Sequence, residues 1–232
     1  MDLADEDLNN ASKQAILNNA RNFIRELDEI VEKRMYLSRN IKTTNQCTLL
    51  LGDETLRHIQ PNKFDQSKSS ATNIFWVDKA RLKFIFNFLN EHREFLLENI
   101  SKILIHTGQA DLLIDRSLPS QIYLKMKEII DFLVEIQPNL MIYISGVLCV
   151  DEVSRKLISE ANMILTNLAN EYKNVYFINH YNIEEHPSGC FDKRGQLQRI
   201  RGTYLFVANL KRAMGLKEQR TATTFRMKSS AF

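Results

Sequence analysis

Apolar positions along the chain follow two different patterns. Ile16, Ala20, Phe23, Leu27 and Ile30 recur at alternating steps of four and three, with Leu17, Ile24 and Val31 widening the stripe. This spacing predicts an amphipathic helix over residues 11–37. Its apolar face is expected to pack on the chain's own sheet, since no long heptad run supports a coiled coil. Beyond it, short apolar runs at Thr48–Leu51, Ile74–Val77, Ile103–Ile105, Met141–Ile144 and Val175–Ile178 alternate with helical stretches at Lys79–Glu98, Leu118–Ile136, Asp151–Glu171 and Gly202–Met214. That alternation predicts parallel strands joined by right-handed crossovers: an α/β fold with a doubly wound, mainly parallel sheet of about five strands and helices on both faces. The connection between the first two strands lacks a helical pattern, and Gln60–Thr72 reads as a long polar loop.

Length and composition narrow this further. The 232 residues suit one domain with short extensions: 1–44 carrying the helix, 45–215 the sheet, and 216–232 a basic tail. The longest apolar run, Leu140–Val150, is expected as a buried strand, because about 20 residues are needed to cross a bilayer. The first residues, Met1-Asp-Leu-Ala-Asp-Glu-Asp, are acidic where a secretion signal is basic and then apolar. Cys47, Cys149 and Cys190 are odd in number and widely spaced, which fits neither a disulfide framework nor a CxxC site. The expectation is an intracellular, cytoplasmic protein with reduced thiols, Cys47 and Cys149 lying buried in strands.

A net charge of +3 does not by itself imply a polyanionic partner, but the basic residues are unevenly placed. Lys193, Arg194, Arg199 and Arg201 crowd the segment before the last helix, while Arg57, Lys63 and Lys68 follow the first strand. If both sets leave the carboxyl edge of one sheet, they merge into a positive face suited to phosphate backbone, with Tyr181, Phe191 and Tyr204 as stacking surfaces. The plainer alternative is an ordinary solvated surface, and no RNP, KH, zinc-finger or helix-turn-helix pattern is present.

In doubly wound sheets ligands bind beyond the carboxyl ends of the strands. Three segments there carry chemistry: Leu51-Gly52-Asp53-Glu54-Thr55-Leu56, His106-Thr107-Gly108-Gln109-Ala110-Asp111-Leu112 and Phe191-Asp192-Lys193-Arg194-Gly195-Gln196-Leu197. In order and spacing they resemble the SGNH, or GDSL, hydrolase family, with G-D-S-L after strand one, G-x-N-D after strand three and D-x-x-H before the last helix. The resemblance implies a sheet in flavodoxin-like order and a serine nucleophile served by histidine, aspartate and oxyanion donors. Here Glu54 stands at the serine position, Ala110 at the asparagine position, and Gly195 or, with one insertion, Gln196 at the histidine position; Gly52, Gly108 and Asp192 are kept. Glu54 cannot carry acyl transfer without forming an anhydride, and no matched base remains. The expectation is therefore a chain that is not an enzyme, with no cofactor, metal or small-molecule substrate. His180 and His186 read as solvated loop histidines, and Asp53, Glu54, Asp111 and His106 as structural residues rather than ligands of a divalent metal. An unconventional esterase or phosphoesterase using Asp53, Glu54, Asp111 and Asp192 is the catalytic alternative.

A degenerate site beside a basic surface is similar to the SGNH-like domains of insect germ-plasm organisers of the Oskar type, over about Asn45–Gly215. That resemblance implies RNA as the partner, specifically messenger 3′ untranslated regions, bound through Arg57, Lys63, Lys68, Arg194, Arg199 and Arg201. It also implies germ-granule proteins as further partners, no membrane contact, and a place in cytoplasmic germ granules at the oocyte posterior. A third expectation is a protein-interaction scaffold that docks a partner on the helix at Ala11–Leu37.

Overall fold

Cys47, Leu49, Leu50 and Leu51 are all buried, so the first strand, β1 (Gln46–Gly52), is covered on both faces as a central strand of a parallel sheet must be. In the computed structural model the described residues are 46–216 apart from 66–69, 95, 97–99, 150–151, 186, 188 and 194. The chain divides into two compact units, Met1–Lys42 and Thr43–Phe232, and the description belongs to the second. The predicted helix at 11–37, the tail from 217 onward, Lys68, His186 and Arg194 lie outside the described residues.

β1 is flanked by β2 (Ser70–Trp76) and β3 (Ile100–His106), followed outward by β4 (Met141–Ser145) and β5 (Val175–Ile178). The order is β2-β1-β3-β4-β5 and every ladder is parallel, which is the expected α/β fold in flavodoxin-like order. The helices are α1 (Leu82–Glu91), α2 (Gln109–Leu113), α3 (Pro119–Ile136), α4 (Glu152–Asn170), α5 (Tyr181–Glu184) and α6 (Arg201–Ala213). Among the described residues none is long and apolar enough to cross a membrane.

The connection from β1 to β2 begins with two short 3-10 turns, Glu54–His58 and Pro61–Lys63, which explains why no helical period is legible there. Two expectations need correction. β4 stops at Ser145, where Gly146 donates to the Ile178 carbonyl and the chain turns away, so Leu140–Val150 is not one strand and Cys149 is buried in a loop. The polar stretch Gln60–Thr72 gives way to β2 at Ser70, because alternate residues such as Ala71 pack inward.

One core layer joins Leu50, Leu104, Tyr143 and Ile178 of the sheet to Phe206 and Leu210 of α6 and to Met214 just after it. Register aligns the strand ends: Gly52 lies opposite both Trp76 and His106, and Ser145 opposite Ile178. Residues just beyond these positions therefore gather at one edge of the sheet. The strand order reverses beside β1, placing Asp53 and His106 at the switch point.

Candidate active site

Gly52 is required where β1 meets β3, because a Cβ there would sit 2.2 Å from the His106 carbonyl oxygen. This close approach brings Asp53 beside His106, and the Asp53 amide donates to that same carbonyl at 3.1 Å. The Asp53 carboxylate caps the following 3-10 turn by accepting from the Thr55 amide at 2.9 Å.

From this corner a buried polar chain crosses the strand ends. His106 Nδ1 lies 2.9 Å from Ser145 Oγ, and Ser145 Oγ lies 2.9 Å from His180 Nε2. His180 Nδ1 is 3.2 Å from Asn209 Nδ2, and Asn209 is paired amide to amide with Asn182. At the other end His106 Nε2 faces Asp53 Oδ1 at 3.8 Å, too far for a hydrogen bond.

The Asn209 end sets the direction of the protons. The Asn209 oxygen is occupied by Asn182. An amide nitrogen only donates, so His180 accepts at Nδ1 and carries its proton on Nε2 toward Ser145. The Ser145 hydroxyl accepts from His180 Nε2–H and donates to His106 Nδ1. His106 then carries its own proton on Nε2, the nitrogen that faces Asp53.

Burial lowers the basicity of both imidazoles. For His106 the carboxylates of Asp53 and Glu54 act against this, whereas for His180 the neighbouring His106 lowers it further and the shift is large. Both rings are neutral at neutral pH, and His106 has the more favourable surroundings for taking up a proton. Phe206 covers the pair, with its ring 4.8 Å from His106 and 4.7 Å from His180 between centroids. Ser145 is 1% exposed, and His180 likewise 1%.

His180 is thus not the solvated loop histidine expected from the sequence; the short helix α5 tucks it under α6. Ser145 and Asn209 were not singled out by sequence reading. The signal for Ser145 is a lone hydroxyl at the carboxyl end of an apolar strand, the position where ligand-facing groups collect.

The residues at the family's motif positions do not come together in the same way. Glu54 accepts from the Lys79 amide at 2.7 Å. Ala110 is buried in α2, and Asp111 beside it accepts from the Leu82 amide at 3.0 Å and from Lys125 Nζ at 2.7 Å. The exposed Asp192 holds the Gln196 amide at 3.0 Å in its own turn. Glu54 and Gln196 do line one cleft, but its volume is about 30 Å3, room for a water molecule or two. Among the described residues no three His, Cys, Asp or Glu side chains are grouped as metal ligands.

Of the basic residues, Lys63 and Arg199 line one groove of about 350 Å3. Arg57 instead pairs with Asp78 at 2.5 Å and lies over the Trp76 ring. Arg201 opens α6, its guanidinium near Gly189.

No family model and no curated relative matches the sequence. Solved structures do. A lipase from a goat rumen metagenome superposes with a TM-score of 0.61 at 16% identity, over 76% of this chain and 100% of that one. A catalytic mutant of Axe2, an acetylxylan esterase from Geobacillus stearothermophilus, gives 0.60 at 10% identity over 78% and 99%. A member of the lipolytic protein G-D-S-L family from Veillonella parvula gives 0.56 at 13% over 73% and 98%. At these identities the likeness is one of fold, and none of these neighbours links the chain to germ-plasm proteins.

The expectation that the chain is not an enzyme is overturned. It rested on three lost motif positions, yet the fold's neighbours are lipases and esterases, and the strand ends hold a hydroxyl between two histidines with Asp53 and Asn209 behind them. Loss of one serine and one histidine at the motif positions leaves a hydroxyl and two imidazoles in contact at the strand ends. The chain has the α/β fold of the SGNH, or GDSL, hydrolases, built around a hydroxyl and histidine set of its own.

Proposed function

We propose that the protein is a hydrolase of carboxylic esters in which Ser145 is the nucleophile and His106 its general base. The observation that carries this reading is the Ser145 hydroxyl aimed at His106 Nδ1 at 2.9 Å, with the far nitrogen of that ring facing Asp53. In the acylation step Ser145 Oγ bonds to the acyl carbon, its proton passes to His106 Nδ1, and the Asp53 carboxylate offsets the charge on the imidazolium. His180 Nε2–H remains hydrogen-bonded at Ser145 Oγ and orients it. Protonated His106 returns the proton to the departing alkoxide; water, deprotonated by the same ring, then releases the acid and restores Ser145.

Access requires movement, since Ser145 is 1% exposed and Phe206 of α6 lies over both imidazoles. Displacement of that ring is the step that admits substrate. Turnover of p-nitrophenyl acetate and butyrate by the wild type, Ser145→Ala, His106→Asn and Glu54→Ala tests the reading. The expected result is loss of about 10³-fold or more in the first two variants, with Glu54→Ala active. Folded wild type without turnover, or turnover indifferent to Ser145→Ala, contradicts it.

A second reading, RNA binding, is favoured by one specific observation: Lys63 and Arg199, distant in sequence, line the same groove. Phosphate contacts of this kind give affinity that falls steeply with salt. Messenger 3′ untranslated regions and germ-granule proteins as partners rest on the resemblance alone. Anisotropy with labelled single-stranded RNA at several salt concentrations is the test, and absence of binding at low salt ends the reading.

A further inference from the structure

The groove beside α6 contains a charge without a counter-charge. Lys211 is 8% exposed, lines the groove wall, and among the described residues has no ion pair and no side-chain hydrogen bond. Lys63 and Arg199, on the same groove, are likewise unpaired among the described residues. Three cations on one groove whose lining carries no carboxylate make it locally positive, and an anion entering the groove is attracted to it.

The shape narrows the choice of anion. The lining runs along α6 from Ile200 through Tyr204 and Val207 to Lys211, about 16 Å at the helical rise of 1.5 Å per residue. A single phosphate does not reach both ends. Between Arg199 and Lys211 the lining carries Tyr204, Val207 and Ala208, and Tyr204 is 67% exposed. Alternating cations and exposed aromatic surface along one track suit a chain of phosphates carrying flat rings.

We infer that this groove is the binding site for a short stretch of single-stranded nucleic acid, with Lys211, Arg199 and Lys63 each on a phosphate and Tyr204 stacked on a base. The inference rests on the RNA reading above and narrows it. Arg57, held by Asp78 and Trp76, and Arg201, at Gly189, stand outside the groove lining.

The test is anisotropy with labelled oligouridylate across a salt series, using the wild type, Lys211→Met, Tyr204→Ala and a control, Lys83→Ala/Lys156→Ala, at exposed lysines outside the groove, each checked by circular dichroism. Inorganic tripolyphosphate is the competitor. Lys211→Met is expected to weaken binding about tenfold and to reduce the salt slope by about one. Tyr204→Ala, an exposed change that leaves the core untouched, is expected to weaken it about tenfold by loss of stacking. The control should bind as the wild type, and tripolyphosphate should compete poorly because it carries no rings. Oligouridylate binding that survives both groove substitutions overturns the site while leaving the RNA reading standing. Tripolyphosphate competing as well as unlabelled oligouridylate overturns the nucleic-acid assignment, and no binding by the wild type at low salt overturns site and reading together.

Discussion

The Ser145 hydroxyl and the His106 imidazole meet at 2.9 Å across the ends of two adjacent strands, β4 and β3. Neighbouring strands in register place their terminal residues side by side, so the contact follows from the sheet itself. Asp53 reaches the same corner because Gly52 lets β1 approach the His106 carbonyl.

Removing the hydroxyl leaves two buried ring nitrogens unpaired. Ser145→Ala is expected to lower unfolding free energy by about 1–3 kcal/mol, the usual cost of orphaned buried polar atoms. Urea denaturation checks this, and a loss of that size still leaves a folded protein for the turnover assay.

The two histidines make stability depend on pH. Both have folded pKa values below the ordinary value of about 6.5, chiefly through burial. As pH falls below that value the unfolded chain takes up protons that the folded chain does not, so the folded state loses ground. Stability from this source is fully present above about pH 6.5 and declines below it until the folded pKa values are reached. Thermal melts from pH 7.5 to 5 should show the fall, and His180→Asn should make it shallower.

Gly52 tolerates no side chain. A Cβ 2.2 Å from the His106 carbonyl oxygen forces β1 and β3 apart, so Gly52→Ala is expected to cost about 2–4 kcal/mol. The chevron midpoint in urea measures it. A wild-type midpoint contradicts the close approach.

Asp111 is fully buried and holds both the first amide of α1, at Leu82, and Lys125. Asp111→Ala should cost about 1–3 kcal/mol through the unpaired amide, less than for a fully buried ion pair because Lys125 keeps contact with water. Breaking the surface pair with Asp78→Ala should cost no more than about 1 kcal/mol. Thermal unfolding of the two variants side by side separates the cases.

The sheet was legible because its strands are short apolar runs set between amphipathic helices, a pattern that leaves little freedom in topology. The first crossover was not, since 3-10 turns such as Glu54–His58 carry no period that a sequence reveals. At the site, Gly52 and Asp53 were visible through motif spacing. Ser145 was hidden because a serine at the end of an apolar run resembles any strand terminus. His180 was misread because its burial depends on α6, about twenty residues further on, folding back with Phe206 and Asn209 over the ring. Motif comparison tests the positions a family uses and is blind to a hydroxyl and a base assembled at others.

The most direct test of the central claim is covalent labelling of the wild type and His106→Asn with a fluorophosphonate, followed by peptide mass spectrometry. An adduct on Ser145 that disappears in His106→Asn is the result expected of an activated nucleophile beside its base. Folded wild type that carries no adduct on Ser145 contradicts the assignment.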